Sequence, residues 1–247
     1  MKITPYGNYL VYEPRYSIED INQIIVKNNL SGLRVLSLLE SEFIGNIDFL
    51  ERATFLKKLS IVSSETFDYS FLSKLTGLES LEVDAPGYSF YDFSYYERLM
   101  DLSISLRRKK AFIILPEHIQ YLYLEEVKSK NIDFIKGCDG LKSLIIKSST
   151  IDTLDGIARM KNLISIELGG IYSLSNINLI PLKMLSKIKL DSVRSLESIH
   201  ISEENSLEEL VIRNCSNLSE IYGKHNIIND DVIDIKGKTK VVGTVLR

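Results

Sequence analysis

Tryptophan is absent from this chain of 247 residues, and cysteine, proline and glycine are scarce. Only Cys138 and Cys215 are present, which rules out a disulfide framework and argues against a zinc site built from cysteines. The 13 glycines and 5 prolines are too few for a collagen-like or low-complexity chain. The apolar runs, such as Ala111–Leu115, are too short to span a bilayer, so we expect no membrane segment.

Neither sign of charge dominates the sequence, whose formal net charge is −3. The excess of basic residues that nucleic-acid-binding domains carry is missing, so nucleic acid is not an expected partner. The first seven residues contain no apolar segment of the kind found in signal peptides. With a hydrophobic content of 45%, the chain can build a large core, and we expect a cytoplasmic globular protein.

A nine-residue phrase with aliphatic residues at its first, fourth and sixth positions recurs nine times, at steps of 20 to 23 residues. The fourth and sixth positions lie two residues apart, so both point to the same face of a short strand. A tenth copy has Asp230 in the first position, followed by Ile233 and Ile235. The nine copies begin at Leu33, Leu56, Leu78, Leu99, Ile119, Leu141, Leu163, Leu185 and Leu207.

This phrase and its spacing resemble the leucine-rich repeat family over about residues 30–236. The resemblance implies an α/β solenoid, a horseshoe with a parallel sheet on its concave face and short helices, turns or loops on its convex face. One repeat cannot bury its own apolar side, whereas stacked repeats share a continuous core. The family usually has Asn or Cys at the ninth position, and only Cys215 matches here. We therefore expect no asparagine ladder and irregular turns.

The whole chain, residues 1–247, is predicted to form a single monomeric leucine-rich-repeat domain. An N-terminal cap covers residues 1–30, with a strand within 8–12 and a helix near 17–28. Ser17 is the expected N-cap of this helix, since the acidic Asp20 follows three residues later. About nine repeats fill residues 31–229, and cap strands, predicted at 232–236 and 241–246, lie within residues 230–247.

Sequence motifs for catalysis are missing. The chain contains no glycine-rich phosphate-binding motif and no H-E-x-x-H, C-x-x-C or G-x-S-x-G. Its three histidines occupy non-equivalent positions in different repeats, and we interpret both cysteines as structural. We predict no catalytic residue, no metal and no cofactor. An enzyme with its site at the repeat irregularity near residues 86–118 remains the less favoured alternative.

Two segments near that irregularity have unusual composition. Six aromatic residues lie between Tyr88 and Tyr96, and we favour a core-filling role for Phe90 and Phe93 over a contact surface. The basic run 107–110 is interpreted as a solvated loop, because the surrounding charge is not basic.

Function in a solenoid usually lies on the concave wall, where the third, fifth and seventh positions of each repeat face outward. In repeats three to five these positions, with their flanks, are largely acidic or aromatic, which suits a protein partner with a basic surface. Four apolar residues expected on the same wall favour a contact surface: Val35, Leu39, Val62 and Ile145. The candidate partner-binding residues are Glu79, Glu82, Asp84, Asp101, Tyr121, Tyr123 and Glu125.

From the resemblance we interpret the chain as a non-enzymatic protein–protein interaction module. An immunity or inhibitor-type protein that masks a basic partner is the more specific hypothesis. An exported internalin-like adhesin or a host-directed effector is the alternative, because the phrase Leu75-Thr-Gly-Leu78-Glu-Ser-Leu81 resembles the repeats of that group.

Overall fold

A computed structural model describes residues 8–37, 46–87, 91–107, 112–202 and 204–223, and the main chain of residues 233–236. The chain forms two compact units, Met1–Ser105 and Leu106–Arg247, which are described separately. The single-domain organisation and the monomeric state stay predictions. None of the helices in the described residues has both the length and the apolar character needed to cross a membrane.

The first unit is a parallel sheet whose strands follow one another in sequence order. One α-helix, α1 (Ile18–Lys27), joins the first two strands, and 3₁₀ helices at Asp48–Arg52 and Ser70–Lys74 precede later ones. The strands are β1 (Tyr9–Val11), β2 (Gly32–Ser37), β3 (Lys58–Ser63), β4 (Ser80–Asp84) and β5 (Asp101–Ser105).

Helix α1 lies within the interval that the sequence predicts. The Ser17 side chain accepts from the Asp20 N–H at 3.1 Å, and the Asp20 carboxylate accepts from the Ser17 N–H at 3.0 Å. These two bonds form a capping box and satisfy main-chain donors that a helix start leaves free. They also lower the pKa of the Asp20 carboxyl. Ile21 packs the helix onto the core.

The second unit has a main parallel sheet in sequence order and, on the other side of each repeat, short parallel strand pairs or triplets. Its strands are β6 (Ile113–Ile114), β7 (Tyr121–Glu125), β8 (Lys128–Ser129), β9 (Ile135–Lys136), β10 (Ser143–Lys147), β11 (Thr150–Ile151), β12 (Ser165–Gly169), β13 (Asn176–Asn178), β14 (Lys187–Asp191), β15 (Ser198–His200), β16 (Glu209–Arg213), β17 (Glu220–Tyr222) and β18 (Ile233–Lys236). The main sheet consists of β7, β10, β12, β14, β16 and β18. Of the short strands, β6 pairs with β9, β8 pairs with β11, and β13, β15 and β17 form a triplet.

The repeat phrase sets the register of the main sheet in the second unit. Residues at the fourth position pair with each other from strand to strand, and so do residues at the sixth position. Burial of such aliphatic columns contributes about 1.5–3 kcal/mol for each side chain. The buried fourth-position column is Leu122, Leu144, Ile166, Ile188 and Leu210, and the main chain of Ile233 continues the pairing.

The tenth repeat pairs as its spacing predicts, with Ile233 opposite Leu210 and Ile235 opposite Ile212. The second predicted C-terminal cap strand, 241–246, lies outside the described residues.

The first repeat starts three residues earlier than the sequence analysis placed it. Leu33 pairs with Leu59 and Val35 with Ile61, so Leu30 occupies the first position. Val35 is therefore fully buried, and its predicted outward direction is wrong. Leu30 follows the end of α1 directly: its N–H donates to the Ile25 carbonyl, and strand β2 begins two residues later. Leu39 lies outside the described residues.

The turns after the main strands of the second unit are regular, contrary to expectation. Residues at the eighth position adopt left-handed φ values, from 50° at Ser148 to 62° at Gly170. The N–H groups of Glu126, Ser148, Gly170 and Ser192 donate to the seventh-position carbonyl of the next repeat, for example Ser148 to Gly169 at 2.9 Å and Gly170 to Asp191 at 2.9 Å. A main-chain ladder thus holds these turns without asparagine, because each left-handed residue aims its N–H at the neighbouring repeat.

The ninth position of the second unit is buried. The Ser149 hydroxyl accepts from the Val127 N–H at 2.9 Å and donates to the Lys147 carbonyl at 2.6 Å. The Cys215 thiol makes the comparable contact with the Arg213 carbonyl at 3.4 Å, and burial raises its pKa. Cys215 is positioned as a structural residue, as the sequence analysis interpreted it.

Part of the aromatic segment fills the core of the first unit. Phe93 and Tyr96 are buried, and the Tyr96 hydroxyl donates to the Leu72 carbonyl at 2.9 Å. This supports the core-filling interpretation for Phe93, while Phe90 lies outside the described residues.

Candidate functional site

The candidate residues lie on the polar face of the main strands, where the third, fifth and seventh repeat positions point away from the aliphatic columns. Glu82, Asp84 and Asp101 belong to β4 and β5 of the first unit, and Glu79 directly precedes β4. Tyr121, Tyr123 and Glu125 belong to β7 of the second unit. The set therefore comprises two groups of residues, one in each unit.

Glu82 is neutralised within the first unit. Its carboxylate lies 3.0 Å from the Arg34 guanidinium, which also donates to the Ser60 hydroxyl at 2.9 Å. The Arg34 side chain is only 15% exposed, and its guanidinium lies 5.9 Å from the Tyr9 ring centroid. Sequence reasoning missed Arg34 because the first repeat was placed three residues too late. The corrected register puts Arg34 opposite Ser60, and Ser60 opposite Glu82.

The other acidic residues of this group differ in their surroundings. The Glu79 carboxylate lies 3.7 Å from the Lys57 ammonium, and Asp84 is half-buried at the end of β4. Asp101 accepts a long hydrogen bond of 3.4 Å from the Ser80 hydroxyl. Although Asp101 reaches solvent, the protein atoms around its carboxyl limit its hydration and raise its pKa.

Replacing Asp101 by asparagine is expected to stabilise the protein at neutral pH. The folded state holds the Asp101 proton more tightly than the unfolded state does, so this residue favours folding at acid pH and loses that contribution as pH rises through its folded pKa. Thermal unfolding of D101N and wild type should differ at pH 7, with D101N the more stable, and converge below the ordinary aspartate pKa. A destabilised D101N at pH 7 would contradict the assignment.

The second group centres on Tyr121, which is 49% exposed. Its neighbours along the same row of the sheet are Ser143 and Ser165, whose short side chains leave the ring uncovered. Tyr123 pairs with Ile145 in the adjacent row, and both are half-buried. We call Tyr121, Tyr123, Ser143 and Ile145 the tyrosine face.

Glu125 lies at one side of the tyrosine face. Its carboxylate accepts from the Tyr123 hydroxyl at 3.3 Å and from the Ser148 hydroxyl at 3.3 Å. These contacts fix the Tyr123 ring and leave the Tyr121 ring as the exposed aromatic group of strand β7.

Charged residues on the following strands are largely paired with one another. Lys147 forms an ion pair with Glu167, and Lys189 lies 2.9 Å from Glu209. Half-exposed pairs of this kind contribute little to stability, but they balance the charge of this part of the sheet. The Tyr-containing end of the second unit is thus the part of the polar face best suited to apolar contact.

Neither cysteine thiol has the lowered pKa of an activated nucleophile. Burial raises the pKa of the Cys138 thiol, although the Arg159 guanidinium opposes the shift. His118 is exposed, His200 stacks on Tyr222 with ring centroids 4.4 Å apart, and His225 lies outside the described residues. Within the described ranges, no group of three or more His, Cys, Asp or Glu side chains could hold a metal ion.

Comparison with known proteins finds similarity only among solved structures. No protein-family model matches the sequence, and no curated protein is significantly similar to it. Among solved structures, an internalin from Listeria monocytogenes str. 4b F2365 is similar at 17% identity and a TM-score of 0.42. The match covers 85% of this chain and 70% of the internalin chain. The assignment of a parallel repeat fold therefore rests on the strand order and register of each unit.

Proposed function

We propose that this chain is a non-enzymatic protein-interaction module that binds a protein partner through the tyrosine face. The exposed ring of Tyr121 carries the proposal, because the next two residues along its row of the sheet are serines with short side chains. Tyrosine offers a large contact area at low conformational cost, and it is enriched at the centres of protein interfaces. The resemblance to leucine-rich repeats supports the same role.

The partner's surface should be basic where it meets the acidic residues of the candidate set. Glu125 beside the tyrosine face favours such a partner through charge complementarity. Glu82 contributes less to the attraction of a basic partner than its sequence position indicates, since Arg34 already neutralises its charge. An immunity or inhibitor-type protein in the cytoplasm is the specific form of the proposal. An exported adhesin would use the same face and meets the same test.

Replacing Tyr121 by alanine is expected to weaken partner binding about 10- to 100-fold, as for a central interface tyrosine. The matched control is Tyr172→Ala, because Tyr172 is 57% exposed in the same unit but lies in the loop after β12. A partner captured with the wild-type chain from native cells would be titrated against both variants by calorimetry. Equal affinities for Tyr121→Ala and wild type would refute the proposal.

A further inference from the structure

The second unit contains a cavity of about 420 Å³ that is distinct from the tyrosine face. Strand β13 forms one wall, and residues 153–158 of the preceding repeat form the other. His200 and Pro181 contribute to the lining. The volume falls within the range of known ligand sites.

The cavity exists because the short outer sheet stops at β13. One repeat earlier, the corresponding residues 154–156 do not form a strand, since Gly156 has φ 100° and a 3₁₀ helix, Ile157–Arg159, follows it. The Arg159 guanidinium, bound to Asp133 at 2.6 Å, lies against Gly156. A Cβ at position 156 would come within 2.6 Å of the Asp133 carboxylate, so glycine permits this packing.

The open edge of β13 presents main-chain hydrogen-bonding groups to the cavity. The Leu179 N–H donates to the His200 carbonyl at 2.7 Å and therefore faces β15. Main-chain groups of successive strand residues point to opposite sides, so Ile177 also faces β15, whereas Asn176 and Asn178 face the cavity. Among the described residues, no main-chain group pairs with Asn176 or Asn178 on that side.

Asp155 supplies the charge of this site. It is exposed on the cavity wall opposite β13, and its carboxylate has no cationic partner among the described side chains. Asn178 does not compete for the edge, because its side-chain oxygen accepts from the Ile180 N–H at 3.1 Å. The site thus combines an unpaired strand edge with one free carboxylate.

We propose that this cavity binds an extended peptide segment of a partner protein, which adds a strand to the open edge of β13. Main-chain bonds to Asn176 and Asn178 would supply affinity, as in other cases of strand addition, and a lysine or arginine of the peptide would pair with Asp155. This peptide site is separate from the surface of the proposed function, because it includes neither Tyr121 nor the main sheet.

A library of random seven-residue peptides displayed on phage and panned against the full chain provides the probe. The selected peptides should carry a lysine or arginine, and as synthetic peptides they should slow amide hydrogen exchange at Asn176 and Asn178 at least about tenfold. Asn178→Pro removes the edge N–H and should weaken peptide binding at least about tenfold, since proline is tolerated at sheet edges but cannot donate. Asn178→Ala loses the same side chain, keeps the N–H, and should bind as wild type does.

Two further variants complete the test. Asp155→Asn should weaken binding of the selected peptides several-fold, while Tyr121→Ala should leave it unchanged, which separates this site from the tyrosine face. Failure to select any peptide, equal binding by Asn178→Pro and Asn178→Ala, or protection confined to β7 would overturn the proposal. If Asn178→Pro unfolds, the exchange of the Asn176 and Asn178 amides in the wild-type complex decides the outcome.

Discussion

Replacing Ile166 by alanine is expected to lower the free energy of unfolding by about 2–5 kcal/mol. Ile166 is fully buried at the fourth position of β12, between Leu144 on β10 and Ile188 on β14. Truncation would remove apolar contacts to both neighbours and leave a cavity in the aliphatic column. Because each repeat buries its apolar side only against adjacent repeats, the loss weakens two inter-repeat contacts at once.

Ile164→Ala is the matched control for this prediction. Ile164 lies two residues earlier, immediately before β12, and is 37% exposed. The same change of side chain there should cost well under half as much, and urea unfolding followed by circular dichroism measures both variants. Similar losses at positions 164 and 166 would mean that the strand face has been assigned incorrectly.

Replacing Gly137 by alanine is expected to destabilise the protein by about 2–4 kcal/mol. Gly137 has φ 70°, in the left-handed region that side chains disfavour. An added Cβ would lie 2.3 Å from the Leu115 carbonyl oxygen, which is a main-chain atom and cannot rotate away. Leu115 is itself held, because its N–H donates to the Lys136 carbonyl at 3.0 Å.

Gly77→Ala tests whether the effect is specific to this geometry. A Cβ at position 77 meets its nearest atom, the Thr54 carbonyl oxygen, at 3.8 Å, and Gly77 lies outside the left-handed region. Alanine there should be neutral or stabilise by up to about 1 kcal/mol, because it reduces the freedom of the unfolded chain. If thermal unfolding showed Gly77→Ala to be less stable than Gly137→Ala, the conformations assigned to both glycines would be contradicted.

Strand register was the most predictable feature of the fold. Aliphatic residues two positions apart on a strand point to the same face, and only one register brings them all to a shared core. Leu144, Ile166 and Ile188 could therefore be aligned from sequence alone. The first repeat was harder to place, since the equally spaced Leu30, Leu33 and Leu36 allow it to start at either Leu30 or Leu33. The structure resolves this choice: α1 ends at Lys27, and Leu30 takes the first position of the repeat.

The turns were misjudged because the sequence shows side chains and the turns are held by main chain. Glu126, Ser148, Ser192 and Asn214 are of three different residue types, yet all have left-handed φ between 50° and 58°. The expectation of irregular turns assumed that side-chain bonding was required.

The sequence predicts which side of each strand the candidate residues occupy, but not how their charges are paired. The spacing correctly put Tyr121 and Tyr123 on one side of β7, and Glu82 and Asp84 on one side of β4. It could not reveal the Arg34–Glu82 ion pair, whose partners are 48 residues apart in the chain. The open edge of β13 could not be predicted from the sequence either, since it depends on the left-handed Gly156 and the 3₁₀ helix that follows it.

Photo-crosslinking from position 121 tests most directly whether the chain works by binding a protein on its tyrosine face. A photoreactive phenylalanine derivative would replace Tyr121 in one variant and Tyr172 in the other, and both would be irradiated in native cells. Both tyrosines are exposed in the same unit, so accessibility alone does not separate them. If the chain binds a protein on its tyrosine face, position 121 gives a discrete covalent adduct with that protein and position 172 gives none. Adducts of equal yield from both positions, or from position 172 alone, would contradict this mode of binding.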